Sequence, residues 1–298
     1  MPSRWRVWMG LLIAAAAGLA LGPWARAAES AEPVQVELIA DASAVAAGQP
    51  FKVGVLFRIA PEWHIYWKYP GDAGLATAVT FELPEGFVAG ELQWPLPQSF
   101  AQPGDVAGYG YTRSVMLIAE VAPPKDLPAG KEFAIRANVR WLSCRDVCRP
   151  GRAELNAKLA VAAQPAPANE ALFREWAARL PHSEKELTLG GPWHSATTIT
   201  GAPPPSADIK IAITITGDTK PAKVEFFPAP TEAVLTDKPS VKSSGNRAEI
   251  AMTARRSGIG TADHLECLVV ITLPGGERAG FPVTVQLPAG NAPAPGGT

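Results

Sequence analysis

Apolar residues alternate with polar ones in many short runs along this chain, and the runs are separated by proline and glycine. Val34, Val36 and Leu38 share one parity, and after a break at 47–50 the alternation resumes at Phe51. A period of two places alternate side chains on the same face of a strand, whereas proline and glycine favour turns. With 30 prolines and 27 glycines in 298 residues, the pattern predicts an all-β chain folded as β-sandwiches.

The distribution of these runs predicts how the chain is divided. A segment rich in proline and alanine separates two strand-rich regions. After this segment Leu172, Trp176 and Leu180 lie on one helical face, with Asn169 placed to cap a short helix and Pro181 to end it. We therefore predict a signal peptide, a first sandwich, a linker with a short helix, a second sandwich and a disordered tail at 1–27, 28–163, 164–185, 186–288 and 289–298.

The first 27 residues have the composition of a secretion signal. Arg4 and Arg6 precede an uncharged apolar stretch from Val7 to Leu21, and Ala25-Arg26-Ala27 satisfies the small-residue cleavage rule. The stretch is short for a membrane span, which needs about 20 apolar residues, although an uncleaved anchor is the alternative. We therefore expect a secreted chain that begins at Ala28.

The net charge argues against polyanionic partners. The chain has 27 basic and 28 acidic residues, and residues 1–27 contain three arginines and no acidic residue. Without them the formal charge is about −4. Nucleic acid and anionic membrane surfaces are therefore not expected as the main partners.

Cys144 and Cys148 are four residues apart at the end of a strand-like run from Phe133 to Leu142. On a continuous strand they would be roughly 13 Å apart, whereas a disulfide needs Cα atoms within about 7 Å. A bonded pair therefore requires the chain to reverse through Arg145-Asp146-Val147. Because so short a loop contributes little by loop closure, such a disulfide is either a weak structural staple or a redox device.

Charged neighbours bear on the reactivity of this pair. Arg145 and Arg149 favour a thiolate, whereas Asp146 opposes them or accepts a proton. The third cysteine, Cys267, shares strand parity with Val269, so it is expected to be a buried free thiol.

Other chemistries have weaker support in the sequence. None of the four histidines is at metal-ligand spacing from the cysteines. Ser143 and Ser195 lie in no recognisable nucleophile elbow. A metal chaperone that uses the thiols stays open as an alternative, whereas a hydrolase or a bound cofactor is not expected.

Several motifs, taken in order, resemble one known family. They are Trp63–Gly74, Leu83–Phe87, Gln93–Pro97, Gly108–Tyr111 and Trp141–Cys148. Together they resemble the N-terminal periplasmic domain of the DsbD family and are similar to the branch that includes the ScsB proteins. The resemblance covers about 34–162, with weaker similarity through the second sandwich.

The resemblance implies an immunoglobulin-like sandwich with a redox-active cysteine pair at one end. In the family this domain takes electrons from a membrane-embedded thiol reductase and reduces periplasmic client proteins. The family cysteines correspond to Cys144 and Cys148, and the later one is expected to form mixed disulfides while Asp146 assists proton transfer. Tyr109 and Tyr111 are the candidates for aromatic residues that cap the site.

The sequence thus predicts a periplasmic, monomeric thiol-disulfide exchange protein, linked by the resemblance to cytochrome c biogenesis. Full-length family members continue into a multi-span membrane domain and a thioredoxin-like domain, whereas this sequence ends at Thr298 with neither. Either a separate membrane protein supplies electrons, or the chain works outside the usual relay. The alternative is a binding or scaffold protein in which the Cys144–Cys148 disulfide is structural.

Overall fold

The computed structural model describes residues 32–102, 104, 106–189, 191–200, 208–257 and 259–288. The predicted signal peptide at 1–27 and the predicted tail at 289–298 lie outside the described residues. Within the described part, no helix has the length and apolar character needed to cross a membrane.

The first sandwich is formed by strands in the N-terminal half of the described chain. Their bounds are β1 Val34–Ala40, β2 Ala42–Val45, β3 Phe51–Ile59, β4 His64–Gly71, β5 Ala78–Glu82, β6 Val88–Ala89, β7 Gln98–Gln102, β8 Val106–Thr112, β9 Ser114–Ala122, β10 Glu132–Cys144, β11 Cys148–Val161 and β12 Ala166–Pro167.

Two sheets face each other in this sandwich. The smaller has the order β1-β3-β9-β6, and the larger has the order β12-β2-β11-β10-β4-β8-β7, with β5 paired to β10. The alternation predicted from Phe51 produces the buried side chains of β3, where Val53, Val55 and Phe57 have no exposed surface. Burial of such apolar side chains between the sheets is the main stabilising contribution to the sandwich.

The hairpin of β10 and β11 carries the cysteines. Its antiparallel register runs from Glu132 opposite Ala160 to Cys144 opposite Cys148. Near the tip the indole of Trp141 lies against Gly151, where a Cβ atom would come within 2.1 Å of the ring. The hairpin is therefore long, fully paired and tightly packed at the end where the disulfide lies.

The predicted helix is present but is shorter than expected. Helix α1 spans Glu170–Ala177 and buries Phe173 and Trp176. Asn169 occupies the N-cap position, yet its side chain makes no capping bond and instead donates to the Ala40 carbonyl. Asn169 thus attaches the helix to the first sandwich rather than capping it.

The second sandwich follows the helix and also has two sheets. Its strands are β13 Trp193–Thr200, β14 Ile209–Gly217, β15 Lys223–Ala229, β16 Val234–Thr236, β17 Ser240–Ser244, β18 Arg247–Arg256, β19 His264–Thr272 and β20 Arg278–Gln286. The sheet orders are β13-β14-β18-β16, with β17 paired to β18, and β15-β19-β20. The prediction of two immunoglobulin-like sandwiches with a short helix between them is confirmed.

The two sandwiches share apolar contacts. Phe227 and Leu268 of the second sandwich belong to the same buried cluster as Trp67 and Tyr109 of the first. The Phe227 ring packs edge-on against both aromatic rings, with centroids 5.9 Å from Trp67 and 5.0 Å from Tyr109. The domain limits stay a prediction, and β12 shows that part of the predicted linker pairs with the first sandwich.

Candidate functional site

The cysteine pair forms a disulfide at the tip of the β10–β11 hairpin. Cys144 is the last residue of β10 and Cys148 the first of β11, and their Cα atoms are 4.1 Å apart. The chain reverses between them, as the spacing required, and the loop is closed by a bond from the Arg145 amide to the Val147 carbonyl. The disulfide therefore joins the two strands at the end of the sheet, where an exposed turn connects them.

The two sulfur-bearing residues differ in accessibility. Cys144 is 3% exposed, whereas Cys148 belongs to the exposed residues of the loop. Beside them the buried Ser143 donates from Oγ to the Arg149 carbonyl and fixes the two strands at the tip. An incoming thiol can thus approach Cys148, while Cys144 is shielded by the sheet.

Tyr66 is the polar group that meets the buried cysteine. Its hydroxyl donates to Cys144 Sγ over 3.5 Å. The hydroxyl oxygen lies 3.4 Å from His64 Nε2, so the Nε2–H tautomer of His64 donates to it. Because β4 pairs with β10 so that His64 lies opposite Cys144, strand alternation places His64 and Tyr66 on the same face as this cysteine.

Phe100 covers this pair of rings from strand β7, which β8 separates from β4 in the sheet. Its centroid lies 4.2 Å from the His64 ring and 6.1 Å from the Tyr66 ring. Gly74 packs against the Tyr66 ring, where a Cβ atom would come within 2.3 Å, and its φ of +114° is one that L side chains rarely adopt. Burial lowers the pKa of His64, so the imidazole is neutral near neutral pH.

Two arginines flank the exposed loop of the disulfide, and Arg145 pairs with the carboxylates of Glu62 and Asp146. The guanidinium groups of Arg145 and Arg149 lie 5.4 and 5.5 Å from the centroid of the Trp63 ring. Asp146 pairs with Arg145 over 2.9 Å, and its side chain is 81% exposed. The carboxylate predicted to assist proton transfer is thus bound to a neighbouring guanidinium in this structure, and its role in proton transfer stays a prediction.

Tyr109 and Tyr111, the candidates for the cap, lie elsewhere. Both are 5% exposed, and they point into the core on the face of β8 opposite the disulfide. Tyr111 donates from its hydroxyl to the Pro95 carbonyl, and burial raises the pKa of Tyr109 to about 12. Both tyrosines point into the core because Tyr111 pairs with the inward residue Ile65 and not with Tyr66, and Tyr109 shares the parity of Tyr111. Tyr66 is the aromatic residue that contacts Cys144, and Phe100 lies beside the Tyr66 ring.

The third cysteine is separate from this site. Cys267 is a free thiol, 4% exposed, in the core of the second sandwich. Burial raises its pKa well above the usual range, so it stays protonated and unreactive. Among the described residues, no three His, Cys, Asp or Glu side chains are grouped closely enough to hold a metal ion.

The first sandwich thus carries a disulfide at the tip of one hairpin. Residues 30–160 match the family described as "Thiol:disulfide interchange protein DsbD, N-terminal", which supports a thiol-disulfide interchange domain in this part of the chain. No curated protein matches the chain.

The fold is similar to that of a solved periplasmic domain. The N-terminal periplasmic domain of ScsB from Proteus mirabilis aligns over 86% of this chain and 94% of its own, with 18% identity and a TM-score of 0.61. BcpA, the major pilin subunit of Bacillus cereus, aligns over 88% of this chain and 68% of its own, with 11% identity and a TM-score of only 0.28. The ScsB likeness extends through both sandwiches and shows their fold.

Proposed function

We propose that the Cys144–Cys148 disulfide exchanges with the thiols of partner proteins in the periplasm. In this role the chain passes electrons from a membrane-embedded thiol reductase to periplasmic client proteins. The observation that carries the proposal is the asymmetry of the pair: Cys148 is exposed, whereas Cys144 is buried and bonded by the Tyr66 hydroxyl.

The difference in exposure between Cys148 and Cys144 gives each sulfur a separate step in the exchange. A thiolate of the reductase attacks Cys148 Sγ, the bond between the cysteines breaks, and its electron pair goes to Cys144 Sγ. A second thiol of the reductase then attacks the mixed disulfide and releases Cys148 as a thiolate. The pair gains two electrons and takes up two protons, while the two reductase thiols become a disulfide.

Delivery to a client is the reverse sequence. The Cys148 thiolate attacks the client disulfide and forms a mixed disulfide, and Cys144 then attacks Cys148 Sγ and releases the client as a dithiol. Cys148 is the contact residue in both directions because it is the exposed sulfur. Cys144 completes each exchange from its buried position.

Nearby groups support the charge that forms on sulfur. The Tyr66 hydroxyl is placed to donate to the Cys144 thiolate as it leaves, and hydrogen bonds to charged groups are the stronger ones. Arg145 and Arg149 favour the Cys148 thiolate electrostatically, while Asp146 reduces the effect of Arg145 by pairing with it. The likeness to DsbD-family periplasmic domains, and the predicted signal at 1–27, support the periplasmic location.

The reduction potential of the pair tests this function. We would equilibrate the protein, as secreted and with Cys267 replaced by Ala, with glutathione and quantify the reduced fraction. We expect a reduction potential of about −200 mV with rapid exchange. A reduction potential below about −300 mV with slow exchange would make the disulfide structural.

Trapping provides a matched pair of variants. Cys144→Ala leaves the exposed Cys148 to form mixed disulfides that cannot resolve, so stable partner adducts are expected. Cys148→Ala leaves only the buried Cys144 and should accumulate far fewer adducts. Equal trapping by both variants would contradict the assignment of Cys148 as the contact residue.

A further inference from the structure

Glu225 of the second sandwich is a buried carboxylate whose bonds reach into the first sandwich. Its side chain is 6% exposed. Oε1 accepts from the Ser99 amide at 3.0 Å and from the Ser99 hydroxyl at 2.6 Å. Lys223 Nζ lies 2.9 Å from Oε1, and Arg278 Nη2 lies 3.5 Å from Oε2.

Arg278 extends the same connection along the chain. Its guanidinium donates to the carbonyls of Leu96 and Pro97, which immediately precede β7. Two carbonyls and one amide at the start of β7 are thus bonded by two charged side chains of the second sandwich. Burial raises the pKa of Glu225, but the hydrogen bonds from Ser99 and Lys223 outweigh it and the net pKa is lowered, so the carboxylate is ionised at neutral pH.

Strand β7 needs this support because it lies at the edge of its sheet. In the sheet order β7 is last, with β8 as its neighbour. An edge strand is bonded along one side only, so its position depends on what contacts its other side. For β7 the hydrogen bonds that Ser99 donates to Glu225 supply that contact.

The residue after Ser99 is Phe100, the ring that covers His64 and Tyr66. Displacement of β7 would therefore move Phe100 away from these two rings. Tyr66 donates to Cys144 Sγ, so a continuous set of contacts connects Glu225 to the buried cysteine.

We infer that Glu225 is a positioning residue through which the second sandwich holds β7, so that Phe100 covers the Tyr66–Cys144 contact. This inference rests on the proposed function, since it gives the second sandwich a role at the same redox site. Glu225 acts at a distance and takes no part in the exchange of electrons.

Chemical labelling of Cys144 measures how well the site is covered. In the full secreted chain with Cys148→Ala and Cys267→Ala, Cys144 is the only thiol, and its reaction with iodoacetamide is followed by mass spectrometry. Loss of Glu225 removes the acceptor of both Ser99 donors and the carboxylate partner of Arg278, which keeps its bonds to the Leu96 and Pro97 carbonyls. The population of displaced β7, and with it the labelling rate, should rise by about tenfold in Glu225→Ala.

A double-mutant comparison tests whether Glu225 acts through Phe100. Phe100→Ala should raise the labelling rate by a similar factor, and adding Glu225→Ala to it should change the rate no further. If Glu225→Ala left the rate unchanged, or if the two effects multiplied, the inference would be wrong. Hydrogen exchange of the Ser99 amide provides a second measure, and it should accelerate in Glu225→Ala.

Two controls separate positioning from general loss of stability. Glu249→Ala removes another paired glutamate of the second sandwich, at an exposed position on β18, and should leave labelling unchanged. Val285→Ala weakens the core of the second sandwich without touching Ser99 and should also leave it unchanged. Glu225→Gln keeps an acceptor oxygen without the charge and should give an intermediate rate, which preserves the test if the Ala variant does not fold.

The outcomes for the two proposals are distinguishable. Labelling reports the shielding of one thiol and does not require that the pair pass electrons. A potential below about −300 mV would contradict the proposed function while the labelling comparison still tested Glu225. Unchanged labelling in Glu225→Ala would overturn the positioning role with the proposed function intact.

Discussion

The Tyr66 hydroxyl donates a hydrogen bond to Cys144 Sγ over 3.5 Å, between residues 78 positions apart in the sequence. Tyr66 is 1% exposed, so water does not readily replace this donor. When the disulfide is reduced, the same donor faces a sulfur that carries negative charge. The bond therefore stabilises the thiolate of Cys144 more than its thiol.

Tyr66→Phe tests this relationship. Hydrogen bonds to charged groups contribute about 1.5–3 kcal/mol, so loss of this donor should destabilise the departing Cys144 thiolate and slow reduction of the disulfide by a small dithiol about tenfold or more. Stopped-flow reduction measures this rate. Tyr69→Phe, which changes a tyrosine on the same strand that packs on Trp67, is the matched control, and an equal effect there would contradict the role of Tyr66.

His64 should titrate below its ordinary value of 6.5, because burial disfavours the charged imidazole. The folded state then binds the proton less strongly than the unfolded state. The free energy of unfolding should not depend on His64 above pH 6.5. It should fall as the pH decreases through 6.5, and level off below the pKa of His64 in the folded state. An NMR titration, with the signal assigned by its loss in His64→Gln, measures the pKa directly.

The same titration in Phe100→Ala tests whether the Phe100 ring shields His64 from water. Removal of the ring that lies 4.2 Å from His64 should hydrate the imidazole and return its pKa toward 6.5. If the pKa stayed depressed, the sheet alone would be responsible for the burial of His64.

The sandwich and the reversal at the cysteines could be predicted from local signals. Strand parity identified the buried residues of β3, and the distance limit of a disulfide required the chain to turn between Cys144 and Cys148. Cys267 was recognised as a buried thiol by the parity it shares with Val269, and this prediction is confirmed. Each of these inferences depends on residues close together in sequence.

The surroundings of Cys144 could not be predicted in the same way. The contact of Tyr66 with Cys144 depends on the pairing of β4 with β10, and no local pattern specifies which distant strands pair. One signal was present, since His64 and Tyr66 share the parity opposite to Ile65 and Trp67. Histidine and tyrosine side chains that alternate with core residues on one strand indicate a candidate functional site on the other face of the sheet. Tyr109 and Tyr111 of β8 instead point into the core.

Gly151 should be intolerant of larger residues because it lies under Trp141. A Cβ atom there would come within 2.1 Å of the indole ring, so the ring or the strand must move. Gly151→Val should lower the free energy of unfolding by about 1–3 kcal/mol and alter exchange at the nearby disulfide. Gly90→Ala is the control, because its added Cβ would lie at an ordinary 3.5 Å from the Glu120 carbonyl, and a loss of similar size there would argue against the Trp141 contact.

Phe226 and Phe227 are adjacent on β15 but belong to different cores. Phe226 is buried within the second sandwich, whereas Phe227 has no exposed surface and joins the cluster of the first sandwich. Either substitution by Ala should lower the free energy of unfolding by about 3–5 kcal/mol, as is usual for buried phenylalanine. The two variants should differ in which parts of the chain unfold together.

Phe227→Ala removes the ring that packs on both Trp67 and Tyr109, so the sandwiches should become less coupled. Urea unfolding monitored by hydrogen exchange in each sandwich should then show two separate transitions, whereas Phe226→Ala should weaken the second sandwich and leave its packing on the first intact. Coupled unfolding in Phe227→Ala would mean that the polar contacts of Glu225 and Arg278 are sufficient to hold the sandwiches together. Because those contacts also support β7, Phe227→Ala would then leave the labelling of Cys144 unchanged.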